Sequence, residues 1–363
     1  MNWVLGCFFG CMICFGFSQE QRNNDFIDVN YFKGNIALHN KNVLHLIQGH
    51  PDGVIVAWNR KTDGSNLWEQ RFNYPDYGYS FSYQDFKNEV LGKTYGLHAH
   101  YSFYFFKRHL MFRVAQGINL ATNPYDKVSN PKNIAFGSRI MAGTYLMLNY
   151  KSNKLVGPFG LQAGFTFTHS SNGSSKSPNT SINTIGLNLG VHYDFEDSEM
   201  DYITLKDDQE FSKAVHYNFI IRGGVNQSGV VGSRQFPFYT LSAYVDKQIT
   251  IKSALSLGVD AFVSKFLKEF IHYQSVAYSS PENDPNADYK RLGVFVGYEL
   301  IFNKISIFNQ VGYYVYYPYE YEGRVYNRIG IKYRLSQKWF ADLSLKSHAA
   351  NAEAVAIGIG IHL

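Results

Sequence analysis

From about residue 50 onward the chain repeats one texture. Segments of roughly 8 to 15 residues alternate apolar with small or polar side chains, and clusters of Gly, Asn, Asp, Pro or Lys separate them. Clear cases are "YGLHAHYSFYFF" (95 to 106), "GPFGLQAGFTFTH" (157 to 169), "TIGLNLGVHY" (184 to 193), "SLGVDAFVSKF" (256 to 266) and "AVAIGIGIHL" (354 to 363). Successive side chains of a strand point to opposite faces, so residues of equal parity share one. In the second segment Leu161, Ala163, Phe165 and Phe167 are odd and apolar, while Gln162, Gly164, Thr166 and Thr168 are even and small or polar. In the third, Ile185, Leu187, Leu189, Val191 and Tyr193 oppose Gly186, Asn188, Gly190 and His192. The last segment keeps its alternation to the final residue, so its edge needs a partner. A closed wall in a membrane supplies a partner to every edge.

The pattern predicts an all-β fold: an antiparallel transmembrane β-barrel of about 12 to 16 strands, with an even number near fourteen. A soluble β-sandwich fits less well, because the segments match the about 9 to 11 residues of a membrane strand better than the roughly 5 or 6 of an ordinary one. Residues 47–363 are assigned to the barrel and 19–46 to a peripheral, irregular lead-in. Two irregular insertions interrupt the texture, near 194–213 and 267–288. The second contains "SSPENDPNAD", whose carboxylates lack the spacing of a calcium cage and read as a solvated loop.

Composition agrees with the pattern. The chain has 28 Tyr, 29 Phe and 31 Gly but only 17% charged residues, which suits strands and tight turns, and the aromatics would populate two interfacial girdles. "MNWVLGCFFGCMICFGFSQE" opens the chain as an uncharged apolar run, read as an export signal over residues 1–18 in preference to a membrane anchor. Cys7, Cys11 and Cys14 all lie within it, so the exported chain would have no disulfide, thiol catalysis or Cys-bound metal. The net charge of +5 is spread without a basic block, which argues against a nucleic-acid partner.

One stretch departs from the texture. In "FTFTHSSNGSSKSPNTSINTIGLNLG" (165 to 190), His169 and Ser171 continue the odd, apolar face of one segment, and Asn183 begins the odd face of the next. A nucleophile, a base and an amide would then cluster at one end of two adjacent strands on the lipid-facing side, where unpaired polar groups are costly. For a lone His-x-Ser a polar turn is the better reading. The shared outward parity favours a catalytic site. Elsewhere, His98 and His100 share a face two residues apart but have no third ligand in view, and His50 reads as part of a turn. His216 and His272 have no companions that suggest chemistry.

His169-Ser170-Ser171-Asn172, followed by Pro178-Asn179 and then Asn183, resembles the pattern of the lipid A 3-O-deacylase (PagL) family of outer-membrane barrel esterases, also called acyloxyacyl hydrolases. The stretch "GHPDGVIVAWNRKTDGSNLWEQRFNYPDYGYSFSY" (49 to 83) is similar to longer, Bacteroidetes-type members, and the resemblance covers about residues 45 to 200, with the remainder matching by texture. It implies hydrolysis of the ester-linked 3-O acyl chain of lipid A at the outer leaflet of the bacterial outer membrane, by a serine esterase with no cofactor and no metal. Ser171 would attack, His169 would act as base and then acid, and Asn172 with nearby backbone N–H groups would steady the oxyanion. Asn183 stands where the family has an orienting Glu. It can hold a histidine tautomer but cannot neutralise an imidazolium.

Asp126, in a loop at the same end, is a substitute acid to consider. Asp194 and Glu196 lie too far along their strand, eleven or more residues at about 3.3 Å each. The family's Gly two residues after the Asn is Ser174 here. The implied partners are lipid A or lipopolysaccharide and outer-membrane lipids, and a homodimer is compatible with the resemblance. The alternative is a non-enzymatic barrel, a pore or scaffold with a degenerate site, which would place charges in the lumen and would not need His169, Ser171 and Asn183 aligned outward.

Overall fold

A computed structural model describes residues 24–196, 200–278, 284–349 and 351–363, with the backbone alone at 153 and 154. The expected export signal, residues 1–18, lies outside the described residues. The wall closes twice. The first barrel consists of β1 (Asp25–Ile36), β2 (Asp52–Lys61), β3 (Asp76–Asp85), β4 (Lys93–Phe105), β5 (Leu110–Ala121), β6 (Ile140–Val156), β7 (Phe159–Ser171) and β8 (Ile182–Asp194). The second consists of β9 (Val215–Asn226), β10 (Phe236–Thr250), β11 (Ser253–Ser264), β12 (Arg291–Phe302), β13 (Ile305–Tyr316), β14 (Val325–Arg334), β15 (Trp339–His348) and β16 (Asn351–His362). All pairings are antiparallel. β1 closes on β8, and β16 closes on β9.

The strand number falls within the expected range, but the single barrel expected over 47–363 is two barrels of eight strands. The acidic stretch taken as an insertion is the linker that leaves β8 and enters β9. Within it Asp207 pairs with Arg71 at 2.6 Å, at the end of the short helix α1 (Leu67–Arg71). The lead-in expected over 19–46 is corrected as well. Asp25–Ile36 is a full barrel strand, and only Lys41–Leu46 forms a short 3-10 turn. The inward row of β1 mixes Phe26, Asp28, Asn30 and Phe32, so it shows no simple apolar alternation. The second insertion begins not as a loop but as α2 (Lys265–Ala277), which buries Phe266, Leu267 and Ile271.

Parity behaves as the alternation predicts. On β7 and β8, Leu161, Phe165, Ile185, Leu187 and Leu189 face outward, while Gln162, Thr166, Asn188 and His192 are buried. Register locks this arrangement, since Phe165 pairs with Leu187 and a slip of one residue would turn every apolar side chain inward.

Ion pairs cross both lumens, and the second keeps a polar cavity of about 150 Å³ at its turn end, lined by His216, Asp246, Glu299, Lys332 and His362. In the first, Arg113 donates to the two carboxylate oxygens of Asp28 at 3.1 and 2.7 Å and to Asn59 at 2.8 Å, with all three residues at 0% exposure. In the second, Arg222 pairs with Asp342, Arg328 with Asp260, Lys332 with Glu299, and Arg291 and Lys346 with Glu353. Eight strands leave room for little more than side chains.

The two ends of the molecule differ. At one, β4–β5, β6–β7, β10–β11, β12–β13 and β14–β15 are joined by tight turns, with the longer 62–75 connection and the linker as exceptions. At the other lie the long segments 37–51, 122–139, 172–181, 227–235 and 265–290. The barrels touch at both ends. At the turn end the Phe72 ring lies 4.3 Å from that of Phe302, and Lys252 Nζ reaches the Arg71 carbonyl.

Candidate active site

The polar residues singled out by parity converge at the loop end of β7 and β8. His169 and Asn183 are direct register partners, and His169 Nδ1 lies 2.5 Å from Asn183 Oδ1. An amide oxygen only accepts, so this bond selects the tautomer with the proton on His169 Nδ1, in which the neutral ring keeps its lone pair on Nε2. Ser171 sits two residues further on, on the same face, about 6.6 Å along the strand. No hydrogen bond joins Ser171 to His169 among the described residues. The Ser171 hydroxyl instead exchanges bonds with the Asn179 side chain, accepting from Nδ2 at 3.0 Å, and it accepts from Gly173 N at 3.1 Å. Catalytic hydrogen bonds often tighten only once substrate is bound.

Asn172, expected near the oxyanion, holds the loop. Its Nδ2 donates to Lys176 O at 2.7 Å and its backbone N donates to Asn179 Oδ1 at 2.9 Å. The donor aimed at the nucleophile is the Gly173 N–H. Asn179 is thus the residue that ties Ser171 to Asn172. Ser170, between the two outward residues, points inward and accepts from Asn119 Nδ2 at 2.7 Å.

Asp126 does not join the cluster. Its Oδ1 accepts from Val128 N, Ser129 N and Ser129 Oγ within its own exposed turn, and these donors, Ser129 first, hold its carboxyl below the usual carboxylate value. Asp194 is at the opposite end, paired with Lys61 at 2.9 Å.

Two features were not anticipated from the sequence. The first is a polar row across the outer wall. Asn183, His169, Thr144 and Gln116 are successive register partners on β8, β7, β6 and β5, all on the lipid-facing side, and Thr144 Oγ1 donates to Gln116 Oε1 at 2.6 Å. Parity on β5 and β6 carried the signal, since Gln116 and Thr144 share their face with Val114, Ile118, Leu146 and Leu148. The second is His39, beyond β1, whose Nε2 lies 2.9 Å from Thr180 O and so touches the returning arm of the site loop. Beneath the loop, Val43, Leu46, Phe86, Leu91, Phe136 and Ile182 form an apolar cluster.

Two closed barrels with apolar exteriors and salt-bridged lumens, the first with a polar row on its lipid-facing wall, define an integral β-barrel protein of the bacterial outer membrane. Two family models match it in series: lipid A 3-O-deacylase (PagL) over residues 52–192 and the C-terminal domain of acyloxyacyl hydrolase over residues 215–363. Together they cover most of the chain, and each falls on one barrel. The chain belongs to the lipid A 3-O-deacylase family, outer-membrane hydrolases that act on lipid A. No curated protein matches it. Among solved structures, a mutant of the porin from Rh. blastica is similar at 10% identity over 93% of this chain and 99% of that chain, and the KdgM porin in complex with disordered oligogalacturonate at 7% over 93% and 97%. Both have a TM-score of 0.19.

Proposed function

We propose that this enzyme removes the 3-O acyl chain of lipid A by a serine esterase mechanism at the outer leaflet. The observation that carries the reading is the His169–Asn183 hydrogen bond beside Ser171, on the lipid-facing wall, in a chain of the deacylase family. With Nδ1 protonated, His169 Nε2 takes the Ser171 proton as Oγ attacks the ester carbonyl, and the carbonyl oxygen becomes an oxyanion facing the Gly173 N–H. Collapse breaks the bond to the sugar oxygen, which recovers the proton from His169. Water then releases the fatty acid from Ser171 by the same exchange. Asn183 fixes the tautomer throughout.

Outer-membrane barrels keep short turns inside and long loops outside, which supports placing the loop end, and the site, at the outer leaflet. The buried ion pairs that cross both lumens weigh against a pore.

The test is mass spectrometry of lipid A from cells expressing the protein, beside Ser171→Ala and His169→Ala. Loss of one ester-linked acyl chain with the wild type and with neither variant is expected. Unchanged lipid A from folded wild type, with a suitable substrate present, would sink the reading.

A further inference from the structure

The loop that follows the candidate nucleophile leaves the first barrel and lies against the second. Gln227 N donates to Ser174 O at 3.1 Å, Ser174 Oγ donates to Ala352 O at 2.5 Å, and Gln235 Nε2 donates to Ser175 O at 2.6 Å. The Gln227 side chain bridges the two barrels' loops: Oε1 accepts from Ser177 N at 2.9 Å while Nε2 donates to Ser233 O at 2.5 Å. Ser177 Oγ donates to Ser228 O at 2.5 Å. A Cβ on Gly173 would overlap Val355 on the outer wall of β16. Five hydrogen bonds thus tie residues 174–177 to a barrel in which no candidate catalytic residue lies.

The backbone shows what this contact does. Gly173 and Ser174 are both left-handed, with φ of +61° and +62°. Glycine adopts that region freely, whereas an L side chain there is disfavoured and persists only where its surroundings enforce it. Ser174 is held from two directions, its carbonyl by the Gln227 backbone N–H and its hydroxyl by the Ala352 carbonyl, both in the second barrel. One residue back, the Gly173 N–H is the donor aimed at Ser171 Oγ.

We propose that the loop-end rim of the second barrel is a positioning element of the deacylase site: the Gln227 backbone N–H and the Ala352 carbonyl hold Ser174 left-handed and thereby aim the Gly173 N–H at the reacting centre, and the Gln227 side chain fixes that backbone through its bonds to Ser177 N and Ser233 O. The proposal rests on Ser171 being the nucleophile. Gln227 is a positioning residue and does not itself reach the substrate. The second barrel then has a task in the reaction, and the first barrel is incomplete without it.

The experiment uses the full-length enzyme in detergent micelles with purified lipid A, and folding is checked by heat-dependent electrophoretic mobility. Gln227→Ala is expected to lower kcat about ten- to hundredfold, the scale of a slightly misplaced catalytic group, with KM within about twofold of wild type. Adding Ser174→Gly, which makes the left-handed conformation intrinsic, is expected to recover most of that loss. Hydrogen exchange of the amides at 173–177 should speed up in Gln227→Ala whether or not lipid A is the substrate, so the contact is tested apart from the activity. Wild-type kcat or unchanged exchange in Gln227→Ala overturns the proposal. So does a loss that appears in KM alone or that Ser174→Gly leaves uncorrected. A wild type that deacylates nothing while Gln227→Ala still loosens the loop counts against the enzymatic reading and leaves the barrel contact standing.

Discussion

The two barrels share one construction and use polarity in opposite ways. In the second, the buried charges turn inward and find partners: Arg222, Arg328 and Lys332 each meet a carboxylate, and Glu353 serves both Arg291 and Lys346. In the first, Arg113 and Asp28 follow the same rule, but Asn183, His169, Thr144 and Gln116 also face outward in one register row. Inward polarity satisfies a lumen. Outward polarity costs free energy in lipid, so a row of four such residues calls for an explanation that an inward one does not.

The largest effect should come from the lumens. Arg113→Met leaves Asp28 buried without its counter-charge, with only the Asn30 and Asn59 amides donating to it, and should destabilise the first barrel by about 3–5 kcal/mol. Arg328→Met should do less to the second barrel, since Asp260 keeps the nearby Arg222 and the hydroxyls of Ser242 and Tyr326. Urea unfolding followed by a fluorophore placed in each barrel would test this, with each substitution lowering the midpoint of its own barrel more than that of the other. Equal shifts in both barrels would mean that they unfold as one unit.

A smaller effect, on rate, concerns the orienting position. Asn183→Glu supplies the carboxylate that stabilises an imidazolium, and kcat should rise by about tenfold or more. Asn183→Leu removes the acceptor and should lower kcat by at least as much. If both variants keep wild-type kcat on lipid A, His169 is oriented by something other than Asn183.

How much of this could be read from the sequence follows from the range of the interactions. The parity of Phe165, Phe167, His169 and Ser171 is local, and two residues of chain are enough to see it. Closure is not local: a strand such as Val215–Asn226 reads the same in one wall of sixteen as in two walls of eight, and only the pairing of Gly360 with Ile220 decides it. β1 was obscured because its inward face must meet Arg113 and therefore carries Asp28 and Asn30 among its aromatics. α2 was obscured because "SLGVDAFVSKF" runs the alternation of β11 straight into the helix, although Phe266, Leu267, Phe270 and Ile271 recur at helical spacing. Gln227 could not be found at all. Fifty residues separate it from Ser177, and no local pattern marks its role.

The rule about outward polarity can itself be broken with a matched pair. Asn309 on β13 also faces outward and is exposed, but it lies in the second barrel, which holds no candidate catalytic residue. Asn309→Leu should raise stability by up to about 1 kcal/mol, from an amide removed from lipid, and leave activity unchanged. Gln116→Leu with Thr144→Val should bring a similar gain in stability but lower kcat/KM several-fold, because this pair continues the row that holds His169. Unchanged kcat/KM in the double variant would confine the site to β7 and β8.

The smallest effect is at the linker. Arg71 holds the Asp207 carboxyl below its usual value of 3.8, chiefly through their hydrogen bond. For a depressed carboxylate the stabilising contribution is present above the unfolded value and is lost as pH falls through the folded one. The linker should therefore stay docked at neutral pH and loosen only below about pH 4, where Asp207 takes up its proton. Asp207 is solvent-exposed, so salt should weaken the same contact. Limited proteolysis by an acid protease, comparing wild type with Asp207→Asn, tests the sign: the wild-type linker should become as sensitive as the variant's at acid pH and remain more resistant above it. A linker equally sensitive at every pH would show that the pair does not tether it.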